Sequence, residues 1–263
     1  MKNYSNDNTA RRYLAHVGLF GTSQLHLRNP YIVAWWSAAF PGFGHLLLSK
    51  NLRGFVLIIW EVVVNIHSCL NIAMVYTFQG KFELAKDVLD TRVLLIYIPV
   101  YIFGIWDSYR TTVDINDVYL LASSENHSFN SFSISPLEIN YLDKRKPIYG
   151  LLWSLIVPGL GQLYLNRILI AFFVIIWTVV FCYFSHGLES IILLIRGNIE
   201  ESTRALKPEW FMFFPSIYGF AAFDAYMNTI EQNKLFEKEQ RNYLLHHYQS
   251  PSFIIRNGLK ERK

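Results

Sequence analysis

Polar and apolar positions along this chain fall into long blocks. Residues 31–49 and 148–166 carry no charge, residues 54–80 carry only Glu61, and residues 168–188 again carry none. A helix needs about 20 mostly apolar residues to cross a hydrocarbon core about 30 Å thick. Uncharged runs of this length argue for a bilayer rather than for the buried helices of a soluble protein. The predicted class is therefore an all-α integral membrane protein.

The blocks recur. Shifted by 117 residues, the chain matches itself without a gap, with fifteen of 35 positions identical over residues 29–63. Trp36/Trp153, Ser37/Ser154, Pro41/Pro158, Gly42/Gly159, Gly44/Gly161 and Trp60/Trp177 are among them. The register still holds at Asp107/Asp224 and Thr112/Thr229. One offset kept this far is the signature of an internal repeat. It divides the chain into an N-terminal amphipathic segment (1–28), membrane repeat 1 (29–112), a polar linker (113–145), membrane repeat 2 (146–229) and an amphipathic, basic C-terminal tail (230–263).

Each repeat holds three apolar segments, at 31–49, 54–79 and 93–109 and at 148–166, 168–195 and 210–227, for four to six spans in all. Phe82, Leu84, Ala85, Val88 and Leu89 follow helical spacing between the second and third segments, as an interfacial amphipathic turn does. The first segment of each repeat interrupts itself, with Pro41, Gly42 and Gly44 in one and Pro158, Gly159 and Gly161 in the other. Ten residues of helix before the break reach about 15 Å, half the core. The segment therefore either crosses with a kink or enters and returns, and a returning backbone must be shielded from lipid by protein.

Charge bears on that choice, because Lys and Arg concentrate in cytoplasmic loops. With six full spans the basic residues divide 15 against 9; with re-entrant PGxG segments they divide 18 against 6. Both arrangements put both termini on the cytoplasmic side of a cell membrane. The formal net charge of +4 matches basic membrane flanks better than a nucleic-acid footprint. The expected partners are the lipid bilayer and another membrane protein or a second copy of the chain. No cofactor is expected. Two cysteines without a CxxC and eight histidines without an i,i+4 pair or HExxH suggest neither a disulfide framework nor a metal site.

The string PGLGQLYLNRILIAFFVIIW, with FDAY closing the unit, resembles a family of small bacterial membrane domains. Their signature is PGxGQxYxGxxxxG, followed near the end by a DAY-like element. It is also distantly similar to two-transmembrane-helix domains carrying GxGxHRFYxG. The first repeat departs from the signature at His45 and Leu47, and the later glycine is Ser49 or Asn166. The resemblance implies a membrane domain of unassigned activity, an architecture without a reaction.

An ionisable residue within a membrane segment is a functional-site hypothesis by default. Asp107 and Asp224 end their segments, where each is expected to pair with Lys50, Arg53 or Arg167, or to bond to His45 or Gln162. A solute or proton role is the competing expectation. Glu61 lies deeper and faces Asn65 at i+4, but Thr178 stands at its counterpart. With no catalytic set in view, a non-enzymatic scaffold, assembly or accessory factor is expected. The alternative is a small-solute or ion transporter built from two pseudo-symmetric halves, whose broken helices would meet around the site.

Overall fold

The computed structural model describes residues 11–125, 127 and 129–248; the N-terminal ten residues and the basic end of the tail lie outside the described residues. It is mostly helical, at 73%. Two short antiparallel hairpins correct the all-α expectation: β1 (Ala15–Gly18) with β2 (Gly21–Gln24), and β3 (Phe132–Ile134) with β4 (Ile139–Tyr141). The first lies within what reads as an amphipathic segment, and the second lies inside the polar linker. They too stand 117 residues apart, for Ala15 pairs with Gln24 and Phe132 with Tyr141.

The helices keep the same offset. Helix α1 (Pro30–Ala39) opens on Pro30 after Asn29, whose side chain caps the Tyr31 amide. Helix α2 (Phe43–Leu47) follows the break, and α3 (Asn51–Ser68) and α4 (Leu70–Phe78) meet at Cys69 with a bend of 65°. Helix α5 (Phe82–Val88) leads into α6 (Thr91–Glu125). In α5 only Ala85 is buried, while Phe82 and Leu84 stay exposed. In the second half α7 (Pro147–Ile156), α8 (Leu160–Tyr164), α9 (Ile168–Ser185), α10 (Gly187–Ile195) and α11 (Ile199–Ala205) precede α12 (Pro208–Phe211) and α13 (Phe214–Tyr248). The excursion through α4 and α5 is closed where the Asp90 amide donates to the Ser68 carbonyl. Lys207 and Ser185 make the same bond in the second half.

The PGxG segment turns back on itself. Helix α1 runs down α6, with the Arg28 backbone beside Asn116, the Tyr31 ring against Tyr109 and the Tyr101 hydroxyl donating to the Ala38 carbonyl. After Pro41 the chain reverses, and α2 climbs back until His45 meets Asp107. Helix α3 then descends, stacking Trp60 on Tyr97. Helices α1 and α3 therefore start at the same end of the molecule. The second half repeats this, with Arg145 beside Asn233 and Gln162 beside Asp224.

The break residues make the reversal feasible. Gly42 and Gly159 have φ of 101° and 105°, a region that costs a residue with a Cβ free energy. At the next glycine the limit is space. A Cβ on Gly44 would meet Ser37 Oγ and the Val33 carbonyl, and one on Gly161 would meet Ser154 Oγ and the Gly150 carbonyl. Ser49 and Asn166, at equivalent positions, have φ of 58° and 54°. Glycine adopts this left-handed region most readily, and Asn tolerates it better than most other residues.

Among the described residues, α6 and α9 are long and apolar enough to cross a membrane, and bent α3–α4 makes a third if counted as one span. This falls short of four to six. The first apolar segment of each half is split into ten- and five-residue helices, and Asp224, Asn228 and Glu231 interrupt the apolar run of α13. The main core lies between the halves, where Phe43 stacks on Phe220 and Phe55 on Phe173.

Candidate functional site

The break and the late acid meet at one place in each half. In the first, His45 Nε2 lies 3.0 Å from Asp107 Oδ2, and Arg53 Nη1 donates to the same oxygen at 3.0 Å. In the second, Gln162 Nε2 donates to Asp224 Oδ2 at 3.0 Å and to the Ala221 carbonyl at 2.9 Å, while Arg167 Nη1 lies 2.5 Å from Asp224 Oδ2. Asn228 donates to Asp224 Oδ1 at 2.7 Å. Each acid thus ties α2 or α8, and the start of the next helix, to the long helix that closes its half. Lys50 takes no part in the Asp107 cluster; in the second half its counterpart Arg167 supplies the cation.

Burial distinguishes the clusters. Asp224 and Gln162 are fully buried and the Arg167 side chain is 7% exposed, whereas the Arg53 side chain is 60% exposed. Buried ions persist only when paired and hydrogen-bonded. Asp224 meets that condition through three side chains.

A second polar cluster has its side chains in the first half alone. Asn65 Nδ2 donates to Glu61 Oε1 at 3.3 Å and to Asn71 Oδ1 at 3.1 Å, and Asn71 Nδ2 donates to the Glu209 carbonyl at 2.8 Å. The structure therefore brings Glu61 and Asn65 together and links them across the halves. Glu61 Oε2 is buried, and the Tyr97 side chain of α6 faces the carboxyl without meeting strict hydrogen-bond geometry.

Another repeated contact lies one turn beyond the Thr112/Thr229 pair. Asn116 accepts from the Arg28 amide at 3.0 Å and donates to its carbonyl at 2.8 Å; Asn233 does the same with Arg145 at 2.9 and 2.7 Å. Both Asn and both Arg keep the 117-residue offset, so extending the register past residue 112 was the available signal.

Hairpin β1–β2 covers the second cluster. The Phe20 carbonyl accepts from the Ile168 amide at 3.1 Å, and Gly21 packs on Asn166 so closely that a Cβ would come within 2.9 Å of its carbonyl oxygen. Asn140 of the other hairpin donates to the Gly18 carbonyl at 2.9 Å. His26, beneath this assembly, has its pKa lowered to about 3 by burial and then by the charges of Arg28, Lys234 and Arg167. It is neutral at pH 7. Comparison with known protein families, with curated proteins and with solved structures finds no match.

Proposed function

We propose that this chain is a multi-pass protein of the cell membrane, built from two tandem units of common descent, that serves as a non-enzymatic scaffold, assembly or accessory factor. Bent α3–α4, α6, α9–α10 and α13 cross the bilayer, and each PGxG hairpin enters and returns from one face. Both termini, both β-hairpins and the basic starts of α3 and α9 lie on the cytoplasmic side, in keeping with the 18-to-6 division of Lys and Arg. The motif resemblance to small bacterial membrane domains supports the same reading.

The observation that carries the scaffold role is the engagement of both repeated acids. Asp224 holds its hairpin through Gln162, Arg167 and Asn228, and Asp107 through His45 and Arg53. A solute would have to displace those bonds. Asp107→Asn and Asp224→Asn are expected to lower accumulation and thermal stability in detergent, and affinity purification of the wild-type chain is expected to retain a stoichiometric membrane partner. Unaltered stability in both variants would sink the clamp role. For topology, single cysteines replacing Ser49 and Leu137 should label only from the cytoplasm, and those replacing Gln79 and Arg196 only from outside, in a chain without Cys69 and Cys182.

One observation favours the transporter reading. Glu61, Asn65 and Asn71 form a buried polar cluster where the halves meet, the position such sites take in proteins built from repeats. Proton or sodium flux into vesicles that vanishes in Glu61→Gln, with stability kept, would establish it.

A further inference from the structure

The two halves contact each other through different faces. Trp36, Phe40 and Phe43, on and between α1 and α2, pack on Phe213 and Phe220 of the other half, with Ile217 of α13 in the same core. A two-fold relation would also place Trp153, the counterpart of Trp36, on Phe103, the counterpart of Phe220. It does not: Trp36 is 7% exposed and Trp153 48%, while Phe220 is fully buried and Phe103 is 52% exposed. The contact is heterologous, and a heterologous contact leaves one copy of each face free.

The free faces keep the chemistry of the covered ones. The hairpin face of the second half offers Trp153, Val157 and Leu160 where Trp36, Phe40 and Phe43 stand in the first. The α6 face offers Ile96, Val100 and Phe103 where Phe213, Ile217 and Phe220 stand in α13. Every one of these positions is apolar. The two β-hairpins touch each other, so both halves point the same way, and a further unit added by the same relation stays in the same bilayer.

We propose that the chain assembles head to tail with further copies of itself, the α7–α8 face around Trp153 of one copy seating on the α6 face around Phe103 of the next. The proposal rests on the bilayer reading. The new contact continues the internal interface by one more step, and it ends either in a ring or in an open row. It is looser than the internal one at both ends. Glu138 stands where Gly21 makes its close approach, and Leu188 where Asn71 bonds across the halves. Helix association within lipid depends on packing rather than on the hydrophobic effect, so the contact is sought in native membranes rather than in detergent.

The test uses full-length chains without Cys69 and Cys182. Trp153→Cys and Phe103→Cys are placed on separately tagged copies, co-expressed, and oxidised in isolated membranes. Head-to-tail assembly yields a mixed-tag dimer from the pair, little product from either variant alone, and a ladder of higher species when both cysteines share one chain. Homodimers of Phe103→Cys or of Trp153→Cys alone, formed as efficiently as the mixed dimer, would replace the proposal with a two-fold contact. Carbonate extraction of the same membranes separates the two readings. A chain that stays in the membrane but gives no cross-link overturns the assembly alone; a chain released by carbonate overturns both.

Discussion

The Asp107 and Asp224 clusters occupy equivalent places and differ in what lies above them. Asp224 is roofed by hairpin β1–β2, whose Phe20 carbonyl holds the start of α9. The start of α3 has Lys50 and Ser49 exposed, and the Asp107 side chain is 15% exposed. The same acid on the same helix is thus an internal ion in one half and a partly hydrated one in the other. Burial of the clamp follows the head-to-tail packing of the halves together with a change of cation, Arg53 within α3 in one half and Arg167 just before α9 in the other.

The sharpest way to break this comparison is to remove the two acids separately. Asp224→Ala strands Arg167 in a site where its side chain is 93% covered, and loss of one partner of a buried pair costs about 3–5 kcal/mol. Asp107→Ala leaves Arg53 free to hydrate and orphans only His45 Nε2, a loss of about 1–3 kcal/mol. Thermal unfolding in detergent should rank Asp224→Ala well below Asp107→Ala. Equal losses would mean that the roof does not matter.

The tryptophans test the same asymmetry away from charge. Trp36→Ala opens a cavity in the core between the halves and is expected to cost about 3–5 kcal/mol. Trp153→Ala, on an exposed position, should stay within about 0.5 kcal/mol for the isolated chain. The asparagine clamps provide the contrast, because they are alike in both halves. Asn116→Ala and Asn233→Ala each forfeit two hydrogen bonds to backbone, for about 1–2 kcal/mol apiece. A large difference between those two variants would show that these ends of the two halves are less equivalent than their geometry.

What the sequence makes legible follows from where side chains, rather than backbone, do the specifying. PGFGH and PGLGQ mark a reversal that only glycine's conformation and size permit, and they stand out at once. The hairpins escaped because backbone hydrogen bonds build them. Over residues 11–28 only Leu25 and Arg28 are matched at the offset, and the turns GLFG and SPLE match at no position. The unequal fates of Trp36 and Trp153 were not legible, since the same residue in the same local motif is buried or exposed according to which face the other half covers. Glu61 was singled out and its neighbour Asn65 foreseen, but Asn71 and the Glu209 carbonyl come from beyond the bend and from the other half.

A pH-dependent effect lies at the roof itself. His26 and Asp143 are equivalent positions; Asp143 is exposed, while His26 sits under the second half with Lys234 and Arg167 nearby. Its pKa is lowered to about 3 in the folded chain against about 6.5 in the unfolded one. The unfolded state therefore binds the extra proton first, and stability is lost as pH falls from about 6.5 toward 3. Between pH 7 and pH 6 the expected loss is below about 1 kcal/mol, growing below pH 6. His26→Gln should flatten this part of the profile. If the roof were absent in the membrane, His26 would titrate as an exposed imidazole and the wild-type and His26→Gln profiles would run parallel from pH 7 to pH 5.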